Sequence, residues 1–137
     1  MTKQFTRSDI DALAQRYRAN LINSLSGFKS ATLVGTSDGQ TNNLAIVSSV
    51  VHVGANPPLL GMIMRPHTVT RDTLSNIKQQ GFYTLNHVSA DWVDKAHQTS
   101  ARYAPEDSEF DAVGLTPVFS ETFSAPYVKE SEIKMGL

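Results

Sequence analysis

Residues 30–53 run Ser30-Ala31-Thr32-Leu33-Val34-Gly35-Thr36, then Ser37-Asp38-Gly39-Gln40, and then, after Thr41 and Asn42, Asn43-Leu44-Ala45-Ile46-Val47-Ser48-Ser49-Val50-Val51-His52-Val53. The first run is short and β-prone, so it predicts a strand. Asp38-Gly39 is turn chemistry, because both residue types tolerate positive φ. The second run is β-branched on both faces and predicts one strand covered on both sides. Ser48 and Ser49 fall in its middle. Asn56-Pro57-Pro58 interrupts the pattern, and Leu59–Met64 predicts a third strand.

Further along, Arg65-Pro66-His67-Thr68 reads as a loop. A short helix is expected to start at Val69 or Thr70 and to end near Gln80, with Gly81 as its stop. Phe82–Val88 predicts a fourth strand, and Asp91–Ser100 a second short helix. Residues 101–126 hold Pro105, Gly114, Pro117 and Pro126 and read mainly as loop. Within them, a helical turn is expected near Glu109–Ala112 and a strand near Val118–Phe123. Tyr127–Lys129 and Glu132–Leu137 look extended. Upstream, Ile10, Leu13, Ala14, Tyr17 and Leu21 share one face of a helix over Ser8–Leu25, predicting an amphipathic packing helix. Thr6 with Asp9, or Ser8 with Asp11, would supply a capping box, and Gly27 a stop.

These elements predict a mainly β, α+β fold: an antiparallel barrel with peripheral helices. A single domain over residues 1–137 is expected. The chain stops inside an apparent strand, Ile133-Lys134-Met135-Gly136-Leu137. A barrel cut there has an open edge. The expectation is therefore that C-terminal barrel strands are missing, or that partner strands come from elsewhere.

Composition narrows the function classes. Of 137 residues, 40% are apolar and 18% charged, and the formal net charge is −1. The chain reads as globular, and without a basic block it disfavours nucleic acid. The lack of cysteine excludes disulfides, iron–sulfur clusters and a thiol nucleophile. The N-terminal residues show no signal peptide, and no apolar stretch is long enough to span a bilayer. The expected location is the cytoplasm. None of the four histidines has a partner at metal-ligand spacing, so no metal site is expected. Gly-x-Ser-x-Gly, Gly-x-Gly-x-x-Gly and Walker A patterns are absent.

Two stretches suggest chemistry. Arg65-Pro66-His67-Thr68-Val69-Thr70-Arg71-Asp72-Thr73 gathers hydroxyls and arginines at a predicted helix start. Free N–H groups and the helix dipole favour an anion there, and arginine matches phosphate. The competing reading is an ordinary capped helix end satisfied by Asp72. Ser48 and Ser49 could donate to the polar edge of a ligand ring, or simply to neighbouring backbone. Trp92 reads as a packing residue rather than a stacking platform.

The ordered set Asn43-Leu44-Ala45, Ser48-Ser49, Asn56-Pro57-Pro58-Leu59, Arg71-Asp72-Thr73-Leu74-x-Asn76-Ile77, Phe82-x-x-x-Asn86, Ser108-Glu109-Phe110-Asp111-x-x-Gly114-Leu115 and Ala125-Pro126-x-x-x-Glu130-Ser131 resembles the flavin reductase-like family, with its FMN-binding split β-barrel. The resemblance runs from about Leu25 to the end. It implies a Greek-key split barrel, a homodimer and FMN near the dimer interface. It also implies that Asn43, Ala45, Ser48, Ser49 and Val50 face the flavin. Arg65, Pro66, His67, Thr70, Arg71 and Thr73 match the segment that holds the ribityl phosphate, and Asn86 and His87 the strand bordering the pocket.

The same resemblance implies a NAD(P)H-dependent flavin reductase, with NADH or NADPH as expected co-substrate and no protein group expected to transfer a proton. One alternative is a flavoprotein that carries electrons or flavin without pyridine nucleotide, serving an electron-acceptor protein. Another is a non-flavin binding module on the same barrel.

Overall fold

The computed structural model describes residues 3–66 and 71–137. Along these run α1 (Arg7–Ala12), α2 (Gln15–Ser24), β1 (Thr32–Ser37), β2 (Asn42–Val47), β3 (Val50–Ala55), β4 (Pro58–Met62), α3 (Asp72–Gln80), β5 (Thr84–His87), α4 (Val93–Gln98), α5 (Glu109–Val113), β6 (Pro117–Ser120), β7 (Phe123–Val128) and β8 (Lys134–Gly136). A four-stranded antiparallel sheet has the order β2-β1-β5-β8, and β3–β4 and β6–β7 form two separate hairpins. The sheets do not close into a barrel, and the fold is a mainly β split barrel with several helices.

The turn between β1 and β2 follows from its sequence. The Asp38 carboxylate accepts the backbone N–H groups of Gln40 (2.8 Å) and Thr41 (2.7 Å), and Gly39 takes a φ of 96°. Those bonds to the ionised form hold the Asp38 carboxyl below its ordinary value. From this turn the register puts Leu33 opposite Ile46 and Thr36 opposite Asn43. Strand alternation then sorts the two faces. Leu33 and Leu44 join Trp92, Ala96, Phe110, Leu115 and Val128 in the core. Thr36 and Asn43 meet α3 on the other face.

The β6–β7 hairpin is bound to the main sheet through buried polar groups. Asn86, in β5, donates to the Leu33 carbonyl (3.2 Å) and to Thr84 Oγ1 (2.9 Å), and it accepts from the Val128 N–H (2.9 Å). Thr84 Oγ1 donates to the Pro126 carbonyl at 2.6 Å. Gly35 lies beneath this joint, and a Cβ there would overlap both the Pro126 carbonyl and Thr84 Oγ1.

Several expectations are corrected. The strand expected over residues 43–53 is two strands, broken at Ser48–Ser49, because the chain leaves the main sheet there to form the β3–β4 hairpin. Its second half is not covered on both faces: Val51, His52 and Val53 are exposed. The strand expected over Val118–Phe123 is instead the end of β6, a turn and the start of β7. The helix expected over Ser8–Leu25 is α1 and α2, since Leu13 is extended (ψ 143°). Neither helix has a buried residue, so the packing role is not seen among the described residues. The Thr6–Asp9 capping box is present. Helix α3 ends as read, with Gly81 left-handed at φ 80°. Its expected start at Val69 or Thr70 lies outside the described residues.

Gly35→Ala should destabilise the fold by about 3 kcal/mol, the upper end of ordinary overpacking, because the obstructing Pro126 carbonyl belongs to a paired strand. Urea unfolding checks this. A loss near zero would show that β7 moves away from β1 freely.

Candidate functional site

Helix α3 leans on the main sheet through its two buried residues, Thr73 and Asn76. Thr73 Oγ1 donates to Asn43 Oδ1 at 2.8 Å, and Asn76 Nδ2 donates to Thr36 Oγ1 at 3.2 Å. Thr36 Oγ1 in turn donates to Asn43 Oδ1 at 3.2 Å. Two strands therefore hold one face of α3, while no side chain among the described residues closes its first turn. Arg71 occupies the N-cap position, and no side chain among the described residues caps the helix. An uncapped N-terminus leaves backbone donors free and presents the positive end of the helix dipole. Arg71 Nε is buried and has no hydrogen-bond partner among the described residues. A buried donor without an acceptor is disfavoured by about 1–3 kcal/mol. Arg71 and the open helix end thus suit the same ligand, an anion with several acceptor oxygens.

Sequence reasoning missed Glu109 as a site residue. The Glu109 carboxylate accepts from Asn43 Nδ2 (3.1 Å to each oxygen) and from the Leu44 N–H (2.9 Å), so α5 closes the outer edge of β2. Burial raises the Glu109 pKa above its ordinary value, and the nearby Asp72 charge adds to the rise; the Leu44 N–H and Asn43 bonds oppose it. The only sign of Glu109 in the sequence is its place in the Ser108–Leu115 segment. A cavity of about 60 Å³ opens beside it, lined in part by Asp38, Asp72 and Asp107. That space is acidic and far too small for a flavin ring.

Not every residue expected at the site gathers there. Asn43, Arg71 and Thr73 come together through the Thr73–Asn43 bond. Ala45 lies on the same strand two residues from Asn43, half-buried opposite Val34. Ser48 and Ser49 form the break between β2 and β3, and neither hydroxyl has a partner among the described residues. The Ser49 carbonyl accepts from the Ile63 N–H at 3.2 Å, and Val50 pairs with Met62. The serine break thereby lies beside the segment leading to Arg65 and Pro66. Both of those are exposed, and Arg65 Nη2 donates to Asn23 Oδ1 at 3.4 Å. His67 and Thr70 lie outside the described residues. Asn86 is fully buried, with its amide committed to β1 and β7, and His87 is exposed at the end of β5. Trp92 packs in the core, as its sequence context suggested.

Sheets left unclosed beside an open helix end define a split barrel with an anion-ready rim. The chain belongs to the flavin reductase like domain family, whose model matches residues 25–136. It is similar to a proposed flavin reductase with split barrel domain from Shewanella frigidimarina NCIMB 400, with 54% identity, a TM-score of 0.92, and 98% of this chain and 67% of that chain covered. It is also similar to nitrilotriacetate monooxygenase component B from Bacillus cereus (25% identity, TM-score 0.81, 99% and 67% covered). Flavoredoxin of Desulfovibrio vulgaris (Miyazaki F) is a further neighbour (27% identity, TM-score 0.65, 74% and 55% covered). The alignments cover 40–48% of the length of the curated relatives that the chain matches. Among the described residues, no group of acidic and histidine side chains suits a metal ion, and no helix is long and apolar enough to cross a membrane.

The raised pKa of Glu109 has a pH signature. Folding favours its protonated form, so its contribution to stability is fully present below the unfolded value near 4.5 and is lost as pH rises through the folded value. Glu109→Gln removes that titration. Urea midpoints measured across a pH series should therefore fall less steeply above pH 4.5 in the variant than in the unaltered protein. Parallel curves would mean that Glu109 titrates alike in both states.

Proposed function

We propose that the chain binds FMN and acts as a NAD(P)H-dependent flavin reductase, with the FMN phosphate at the open end of α3. One observation carries the phosphate placement: among the described residues, Arg71 Nε is buried without an acceptor at a helix N-terminus that no side chain caps. A phosphate fits both features, since its oxygens accept from the guanidinium and from backbone N–H groups together. Membership of the family supports flavin as the ligand.

Asn43, Ala45, Ser48, Ser49 and Val50 would border the ring, with the two serine hydroxyls free to donate to its polar edge. Arg65, Pro66, His67 and Thr70 would complete the phosphate end with Arg71 and Thr73. We leave Asn86 out of the cofactor contacts, because its amide already joins the sheets. His87 stays only as a pocket-border residue. Bound FMN would supply the redox chemistry, taking hydride from NADH or NADPH. The protein's part is to bind, orient and exclude water, and no side chain is assigned a proton.

A homodimer and a cytoplasmic location complete this reading. The exposed apolar side chains of the β3–β4 hairpin, Val53, Leu59 and Leu60 among them, favour a second copy as partner. The likeness to a flavoredoxin supports a second reading, a flavoprotein that passes electrons to an acceptor protein without pyridine nucleotide.

Oxidation of NADH or NADPH on addition of FMN, followed by absorbance, separates the two readings. Turnover supports the reductase, while bound yellow flavin without turnover favours the electron carrier. Arg71→Ala should weaken FMN binding by about tenfold or more, the loss of a charge-assisted bond, and riboflavin much less. Equal losses for both flavins would refute the phosphate assignment.

A further inference from the structure

Asn43 connects three elements, and the direction of each hydrogen bond can be assigned from chemistry alone. A glutamate carboxylate only accepts, so the Asn43 group facing Glu109 is the Nδ2 amide. The Oδ1 atom must then face α3 and β1, where Thr73 and Thr36 donate to it. Thr36 already accepts from Asn76, which leaves its own proton for Asn43. Donation thus runs from both buried residues of α3 toward one terminal acceptor, Glu109. A chain of this kind is mutually polarised and holds its geometry only while every direction is kept.

We infer that Glu109 is the positioning residue for the anion-binding end of α3: by fixing which way the Asn43 amide faces, it holds Thr73, and with it the neighbouring Arg71, in place for a phosphate. This rests on the phosphate reading of Arg71. Glu109 does not itself touch that end. It acts across Asn43, and its second bond, from the Leu44 N–H, anchors it to the strand edge.

A swap of donor and acceptor tests the inference. Glu109→Gln keeps one acceptor oxygen, which can serve both Asn43 Nδ2 and the Leu44 N–H, but sets its amide against Asn43 Nδ2, donor facing donor, so the Asn43 bond is weakened or Asn43 turns and loses Thr73. Asn43→Asp alone sets two carboxylates against each other. The double variant, Asn43→Asp with Glu109→Gln, restores every bond. Its new amide at position 109 would donate to the new carboxylate at position 43 and accept from the Leu44 N–H. That carboxylate would in turn accept from Thr73 and Thr36. Binding of FMN and of riboflavin to the full chain, measured by fluorescence quenching, supplies the readout as the ratio of the two affinities.

The unaltered protein should prefer FMN. Each single variant should reduce that preference about tenfold, one hydrogen bond's worth, and the double variant should restore it. A general loss of folding would weaken both flavins together and leave the ratio unchanged in whatever protein still binds. Single variants that keep the full FMN preference, or a double variant that fails to recover it while folding normally by circular dichroism, would overturn the role of Glu109. An unaltered protein that binds both flavins equally would instead overturn the phosphate reading, and the role of Glu109 with it. Should one single variant not fold, the other supplies the comparison, because the relay predicts loss of preference in either single variant and recovery in the double variant.

Discussion

The buried amide of Asn86 is the constraint that the rest of the fold depends on. Three of its hydrogen-bonding positions are engaged, by Leu33 of β1, by Thr84 on its own strand and by Val128 of β7. A fully buried amide left unpaired would be disfavoured by about 1–3 kcal/mol per group, so β7 is tied to one position over β1 and β5. Thr84 repeats the tie through the Pro126 carbonyl. Gly35 is glycine because this joint brings β7 too close for a side chain. The main sheet and the β6–β7 hairpin are therefore locked together on this side, while the β3–β4 hairpin separates from the main sheet at Ser48–Ser49. The split in the barrel comes from that asymmetry.

A second asparagine does for the site what Asn86 does for the fold. Asn43 sits on the strand at the opposite edge of the sheet and joins β1, β2, α3 and α5 through four side-chain bonds. The two amides differ in how they are terminated. Asn86 ends on backbone groups, directly at Leu33 and Val128 and through Thr84 at Pro126, and their donor and acceptor roles cannot change. Asn43 ends on Glu109, a titratable side chain whose burial raises its pKa. A joint built on backbone suits a core that must not move. A joint ending on a carboxylate can respond to chemistry, and it lies under the helix end where binding is proposed.

Much of the fold was legible in the sequence, and the losses have physical reasons. The Asp38-Gly39 turn and the Gly81 stop were found because each depends on local backbone chemistry. The broken strand was missed because β-prone residues continue on both sides of Ser48–Ser49 while the chain changes sheets, and residue pattern carries no information about partners. The β6–β7 turn was missed because Glu121-Thr122 has neither glycine nor proline to mark it. Arg71 and Thr73 were legible as residues of a helix start, because helix starts have a recognisable chemistry. Asn86 was expected at the pocket border, yet its amide serves the core, since the residue type alone does not tell a ligand contact from a structural one. Glu109 was invisible as a partner of Asn43 because 66 residues separate them.

The charges around α3 also bear on where an anion can rest. Asp72 occupies the first turn and could have capped the helix, which was the competing reading of this stretch. It makes no capping bond among the described residues, and its charge acts on Glu109 across the acidic cavity. Two unit charges about 4 Å apart interact by roughly 4 kcal/mol near a protein surface, enough to decide between neighbouring positions. A phosphate approaching α3 is therefore repelled from the side of Asp38, Asp72, Asp107 and Glu109 and attracted to the side of Arg71. On the proposed reading, the same carboxylate that orders Asn43 would belong to the wall that keeps a phosphate at the helix end. Positioning and exclusion would then be two consequences of placing one glutamate at the start of α5.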